Sequence, residues 1–197
     1  MSENSSNKGQ VGTSSIGNGA KNPETKPLSS VEELRKRARK NVEEGAITEG
    51  YGAQREKIIE LLQEALATEL VCVLRYRKHY YMAKGIDSEP IAAEFLAHSN
   101  EELAHADRLA VRIAQLGGDP DLNPATLLSR SHAEYVDVKD LKAMINENLV
   151  AERIAIDSYR EMIDFIGASD STTRRILEEI LEVEEDHADE LADLIAK

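Results

Sequence analysis

Glu102-Leu103-Ala104-His105-Ala106-Asp107-Arg108-Leu109-Ala110 and Glu184-Glu185-Asp186-His187-Ala188-Asp189-Glu190-Leu191-Ala192 are two copies of one pattern. Each opens Glu-x-x-His and runs on as His-Ala-Asp-x-Leu-Ala. Each also follows a lone glutamate: Glu69 stands 33 residues before Glu102, and Glu152 stands 32 before Glu184. Tyr76 and Tyr159 come seven residues after those glutamates, with Arg77 and Arg160 directly behind them. Residues three apart on a helix share a face, so each glutamate and its histidine can reach the same point. Four carboxylates and two imidazoles in this order are the ligand set of a two-metal site inside a four-helix bundle.

The charge balance supports that reading. Two divalent metals bring four positive charges, which four glutamates neutralise in a core where uncompensated charge is costly. Carboxylates can bridge two metals while each imidazole terminates one, with a typical metal separation of roughly 3.5–4 Å. Mixed oxygen and nitrogen donors suit iron or manganese better than a thiolate-seeking metal. In a chain with 37 acidic residues, a single Glu-x-x-His reads as a solvated helix face. The doubled set does not, because its lone glutamates sit on otherwise apolar faces and would be buried without compensation.

Composition bounds the rest. Hydrophobic residues make up 41% of the 197, enough for one packed core, while 4% aromatics and no Trp favour helix packing by Leu, Ile, Ala and Val. A formal charge of −13 and a pI near 4.9 argue against general polyanion affinity and for a surface that attracts cations. A lone Cys72 excludes an intrachain disulfide framework and any Cys-x-x-Cys metal ribbon. Met1 to Lys26 holds no apolar run and no stretch is long enough to span a membrane, so the cytoplasm is the expected compartment.

Three segments are expected. Residues 1–28 are a polar tail with little to bury and should be disordered. Residues 29–53 hold a short charged helix, opened by a Ser30/Glu33 capping box and running to Gly45, and then a glycine-marked link. Residues 54–197 form the bundle. The first long helix runs from Gln54 to Lys84, with Ile58, Leu62, Leu66, Glu69, Val73, Tyr76 and Tyr80 on one face, and stops at Gly85. The second is capped by Asp87 or Ser88, tolerates Pro90 in its first turn and ends at Gly117-Gly118-Asp119-Pro120. A long connection over about 119–137, partly helical near Pro124 to Leu128, leads to a third helix over Val138–Ile166. The fourth starts after Ser169 or Ser171 and runs to the C-terminus. Strand signals are absent.

The stretch Leu66-Ala67-Thr68-Glu69-Leu70 through Tyr76, with Glu102-x-x-His105, Glu152 and Glu184-x-x-His187, resembles bacterioferritin over about residues 54–197. The resemblance implies an all-α, ferritin-like four-helix bundle with one long crossover. It makes Glu69 and Glu152 terminal or bridging carboxylates, with Glu102 and Glu184 completing the bridges. His105 and His187 become one nitrogen ligand per iron. Tyr76 becomes the tyrosine beside the site, which hydrogen-bonds a ligand and supplies an electron; a core tyrosine with a satisfied hydroxyl is the plainer alternative.

Two departures narrow the resemblance. Bacterioferritin binds haem through a methionine directly after the second-helix glutamate, where this chain has Leu103, so no haem is expected. The chain ends ten residues after His187, with no fifth C-terminal helix of the kind that lines the channels of a 24-subunit shell, so a 12-subunit Dps-like cage is favoured. DNA binding through Arg35-Lys36-Arg37-Ala38-Arg39-Lys40 is disfavoured by the overall acidity and by flanking Glu32, Glu33, Glu43 and Glu44. Cys72 is expected as a buried structural residue. His98, four residues before Glu102, is expected as a satisfied histidine at a helix surface, with an extra iron contact or proton relay as the alternative. His79 and His132 have no evident partner.

The resemblance therefore implies a ferroxidase that binds two iron ions per subunit, with manganese as an alternative. It would oxidise Fe(II) with O2 or H2O2, store iron in a hollow cage and limit oxidative damage. The rivals are a di-iron or di-manganese peroxidase or catalase of rubrerythrin type, and a DNA-compacting Dps-like protein whose metal site is structural.

Overall fold

The computed structural model describes residues 27–85 and 88–196, and its described residues hold helices and no strand. Most of the tail expected to be disordered lies outside the described residues, as does the candidate cap Asp87. Six helices follow in order: α1 (Val31–Arg37), α2 (Arg55–Met82), α3 (Ser88–Gln115), α4 (Leu127–Arg130), α5 (Leu141–Ile166) and α6 (Ser171–Ala196).

Helix α1 opens on the expected capping box: Glu33 N donates to Ser30 Oγ at 3.2 Å, and Ser30 N donates to the Glu33 carboxylate at 3.0 Å. It ends at Arg37, well short of Gly45. The intervening chain forms a 3-10 turn over Val42–Glu44, entered through Asn41 in the left-handed region at φ 48°. Without a buried residue, α1 lacks the tertiary packing that carries helices onward.

The long helices α2, α3, α5 and α6 pair as two hairpins, α2 with α3 and α5 with α6. Helix α2 then lies against α5, and α3 against α6. Contacts fix both directions as antiparallel: Tyr76 meets Glu152 while Tyr159 meets Glu69, and Arg112 meets Asp170 while His98 meets Glu190. The crossover climbs the outside of α2. Gln63 Nε2 donates to the Asp119 carbonyl at 2.7 Å, His132 N donates to Thr68 Oγ1 at 2.9 Å, Arg75 donates to the Glu134 carbonyl and Lys78 pairs with Asp137. Its one helical turn, α4, falls at 127–130, a little beyond the stretch its Pro124 suggested.

Several ends of the long helices follow their sequence signals, although α2 stops at Met82, two residues before the expected Lys84. Pro90 sits in the first turn of α3, where its missing N–H has no intrahelical partner to lose. Gly167 closes α5 at φ 52° and Gly117 follows α3 at φ 79°, both in the region glycine favours. Helix α5 starts three residues later than expected because Asp140 accepts from Ala143 N at 3.0 Å. Helix α6 is capped by Asp170 rather than a serine. That carboxylate accepts from Thr173 N at 3.0 Å and Thr173 Oγ1 at 2.6 Å, and holds the Arg112 guanidinium at 2.8 and 3.0 Å. Tyr51 Oη completes the set at 2.7 Å and brings the link before α2 onto this end of the bundle.

Two apolar clusters fill the bundle. One, around Ile58, Leu62, Leu66, Leu109, Ile113 and Leu177, lies towards the Asp170 end. The other, around Tyr76, Phe95, Met144, Ile145 and Leu191, fills the opposite end. Between them lies a polar layer.

Candidate metal centre

All four long helices contribute to that layer. Helix α2 supplies Glu69 and Tyr76, α3 supplies Glu102 and His105, α5 supplies Glu152 and Tyr159, and α6 supplies Glu184 and His187; none is more than 4% exposed. Helical spacing of three puts each Glu-x-x-His pair on one inward face, and Leu109 and Leu191, one turn on, anchor that face in the apolar core.

The ligand-type atoms fall into two overlapping quartets. Glu69, Glu102, His105 and Glu184 each offer an atom within 4.8 Å of the others, and so do Glu102, Glu152, Glu184 and His187. Glu102 and Glu184 belong to both. The members found in one quartet only are Glu69 with His105 on one side and Glu152 with His187 on the other.

Each outer glutamate is held by a tyrosine of the other hairpin. Tyr76 donates to Glu152 and Tyr159 donates to Glu69. Both phenols are pushed well above their usual value, by burial first and then by the neighbouring carboxylates, so they stay protonated as donors. The histidines turn Nδ1 inward. His187 Nε2 lies 2.7 Å from Glu101 Oε2, which places the ring proton on that nitrogen and leaves the Nδ1 lone pair facing the centre.

Hydrogen bonding stops where the centre begins. Of ten buried side-chain polar atoms without a partner among the described residues, seven are in the layer: both oxygens of Glu102 and Glu184, Glu152 Oε2, His105 Nδ1 and His187 Nδ1. His105 Nδ1 lies 2.9 Å from Glu184 Oε1, but the two are not aligned as donor and acceptor. Buried polar atoms are ordinarily satisfied. A concentrated exception built of oxygen and imidazole donors is a set that could hold metal ions.

The electrostatics agree. Burial and repulsion from the neighbouring glutamates hold Glu102 and Glu152 well above the ordinary carboxylate range, and burial with the Glu69 charge raises Glu184. Burial would raise Glu69 too, but the nearby His105 charge and the Tyr159 hydroxyl that donates to it outweigh that and keep it low. Burial opposes the His105 cation, yet Glu184 and Glu69 push it up to about 10. The layer thus gathers positive charge wherever its own groups can supply it.

The ferritin-like domain family model matches residues 59–197, which takes in nearly all of the four long helices. The chain belongs to the ferritin-like domain family. Among its ferritin-like relatives, the bacterioferritin of Brucella melitensis biotype 1 is 33% identical over 147 residues, covering 72% of this chain and 86% of that one. The DNA protection during starvation protein of Halobacterium salinarum is 28% identical over 136 residues, covering 66% and 74%. In structure, the chain resembles a dodecameric thioferritin, the bacterioferritin-related protein from Bacteroides fragilis, with a TM-score of 0.70 at 30% identity and coverage of 73% and 86%. It also resembles the bacterioferritin of Rhodobacter capsulatus, described with a metal-free dinuclear site and haem iron, with a TM-score of 0.62 at 27% identity and coverage of 72% and 84%. No helix among the described residues is long and apolar enough to cross a membrane.

Other residues singled out in the sequence fall into place around this ferritin-like core. Cys72 is buried as expected, and burial pushes its thiol up. His98 is not at the surface: it is 1% exposed, with Nδ1 3.2 Å from Tyr76 Oη and Nε2 2.9 Å from Glu190. His79 gains a partner in Asn148 Oδ1 at 3.0 Å, and His132 one in Ser158 Oγ at 2.8 Å. Leu103 is 42% exposed on the outer face of α3. Glu101 and the crossed role of Tyr159 escaped sequence reading. The only available signal for the second was the repeat that put Tyr159 where Tyr76 stands in the first hairpin.

Proposed function

We propose that this chain is a ferroxidase that binds two Fe(II) ions as substrate in the polar layer and oxidises them with O2 or H2O2. Glu69 and His105 hold one ion, Glu152 and His187 the other, and Glu102 and Glu184 are shared between them. The observation that carries this reading is the convergence of seven unpartnered buried donor atoms into two quartets with two common carboxylates. Two one-electron donors side by side meet the need of a two-electron oxidant. Two Fe(II) and two protons convert O2 to H2O2, or H2O2 to two waters, leaving two Fe(III). Manganese has the same donor preferences and is the alternative metal.

The protein's part is positioning. Tyr76 and Tyr159 hold the outer carboxylates in place, Glu101 fixes His187, and the apolar clusters keep water out on both sides. Tyr76, beside the centre, is also the ring assigned to give up an electron. Tyr76→Phe is expected to slow oxidation about tenfold while metal stoichiometry stays unchanged, and Tyr159→Phe to do the same through Glu69. Stopped-flow oxidation alongside anaerobic titration separates the two readouts. Unaltered rates in both variants would assign the tyrosines to packing alone.

Iron storage in a hollow homo-oligomeric cage in the cytoplasm, with protection from peroxide, completes the proposal. Twelve subunits are favoured because the Bacteroides fragilis relative is dodecameric. Haem has no place in it, since Leu103 offers no sulfur. DNA compaction is disfavoured by the formal charge of −13 and by the flanking Glu32, Glu33, Glu43 and Glu44, and Lys40 is paired with Glu49. The direct test is anaerobic Fe(II) titration followed by addition of oxidant. Two equivalents per chain, oxidised at two Fe per O2 or H2O2 and retained as ferric product, are expected. Peroxide turnover without retained iron would favour the rubrerythrin-type reading instead.

A further inference from the structure

The repeat that relates the two hairpins fails on one side of the centre, and the failures gather in one place. His98 stands four residues before Glu102, where Ile180 stands before Glu184. Glu94 is eight before Glu102, and its counterpart is Ile176. Glu190 is three after His187, and its counterpart is Arg108. The three departures are themselves a cluster: Glu94, His98 and Glu190 each offer a ligand-type atom within 4.8 Å of the others. His98 Nε2 lies 3.4 Å from Glu94 Oε1 and 2.9 Å from Glu190 Oε2.

This cluster runs from solvent into the core. The Glu94 and Glu190 side chains are 38% and 53% exposed, whereas that of His98 is 1% exposed. The same histidine belongs to a second group, with Glu152 and His187, that is buried throughout. Its ring stacks on His187 with centroids 4.0 Å apart and planes 18° apart. Glu152 Oε2 and His187 Nδ1, in that inner group, have no hydrogen-bond partner. Two groups joined by one histidine thus connect the surface to the His187 end of the centre. Among the described residues no corresponding group lies beside His105, where isoleucines and an arginine take the matching positions.

We propose that Glu94, His98 and Glu190 form an outer divalent-cation site through which metal passes to the His187 end of the buried centre. The identity of the cargo rests on the ferroxidase reading; the site itself does not. A hydrated cation cannot enter an apolar bundle without exchanging its waters for other donors. Two carboxylates at the surface and the buried imidazole beneath them begin that exchange, and the second group continues it one step further in. The paired negative charges also raise the local cation concentration at the mouth of the route. Arg108 at the matching place on the other side would repel a cation.

The test uses Co(II), added anaerobically to the full chain, so that binding is read by visible absorption without oxidation. The wild type is expected to take up two tight equivalents and a weaker third. The double variant Glu94→Gln/Glu190→Gln is expected to lose the third, keep the tight pair at full occupancy, and fill that pair about tenfold more slowly. His98→Ile, which installs the residue found at the matching position, is expected to lose the third equivalent too. A wild type with a tight pair and no third equivalent, or a double variant that keeps the third or fills at the wild-type rate, overturns the proposal. A wild type that binds one weak equivalent, abolished in the double variant, would uphold the outer site while removing the ferroxidase reading.

Discussion

Glu102→Gln is expected to lower iron oxidation by more than about a hundredfold, since loss of a shared ligand should exceed the 10–100-fold typical of outer-shell changes. The same change is expected to make the metal-free protein more stable. Glu102 is shared by both quartets, is 1% exposed and has neither oxygen hydrogen-bonded, with His105 Nδ1 3.6 Å away as its nearest positive partner. Burial and the charges of Glu184, Glu69 and Glu152 raise its carboxyl well above the ordinary 4.5. A group raised on folding contributes stability below its unfolded value and loses that contribution as pH rises through its folded value. Metal-free wild type should therefore weaken as pH climbs above about 4.5, by up to about 1.4 kcal/mol per pH unit for this one group. Glutamine keeps the shape without the charge, so the variant should show a flatter profile and a higher melting temperature above that pH. With anaerobic Fe(II) or Co(II) present the order should reverse, because only the wild type gains the stability that ligand binding confers. Thermal unfolding across pH, with and without metal, checks each part. A variant that is less stable than wild type without metal at every pH would show that Glu102 is compensated by something other than metal.

Asp170→Ala is expected to cost about 3–5 kcal/mol of folding stability while leaving metal stoichiometry intact. Arg112 is 6% exposed, and its bidentate partner is Asp170, which also caps α6 through Thr173 and accepts from Tyr51. Removing the carboxylate strands a buried guanidinium at the end of the bundle, where no metal can compensate it. Burial would raise Asp170, but the Thr173, Tyr51 and Arg112 bonds pull it down to about 2. Its contribution is therefore complete above its ordinary value near 3.8 and disappears as pH falls through about 2. The gap between wild type and variant should narrow over the same window, by about 2 kcal/mol. Asp170→Ala/Arg112→Met should recover most of the loss, since an apolar pair of similar volume often replaces a buried ion pair at little cost. Denaturant unfolding of both variants measures it.

How much of this was legible in the sequence depended on whether a feature is local. The four long helices were, because Ile58, Leu62, Leu66 and their neighbours recur at helical spacing and glycines mark the ends. The convergence of Glu69, Glu102, His105, Glu152, Glu184 and His187 was, because Glu-x-x-His is a one-turn pattern and it occurs twice. The tyrosine hydrogen bonds were not: that Tyr76 reaches Glu152 and Tyr159 reaches Glu69 depends on how α2 and α5 slide past each other. Local preference also misled. Ser169 and Ser171 are good caps on their own terms, but the buried Arg112 on another helix selects Asp170. Helix α1 has the caps and charges of a longer helix, but it buries none of its residues, and Asn41 turns the chain aside. His98 looked like a surface residue because its partners, Tyr76 and Glu190, lie 22 and 92 positions away.

The crossed tyrosines have a consequence for assembly. Each hairpin carries a glutamate that it cannot fasten and a tyrosine that it cannot use, and the other hairpin supplies exactly what is missing. Neither half can therefore be tuned alone: tilting or shifting one hairpin loosens a terminal carboxylate at each end of the centre simultaneously. The docking of the hairpins and the shape of the centre are a single degree of freedom, so any change that improves one is felt by the other.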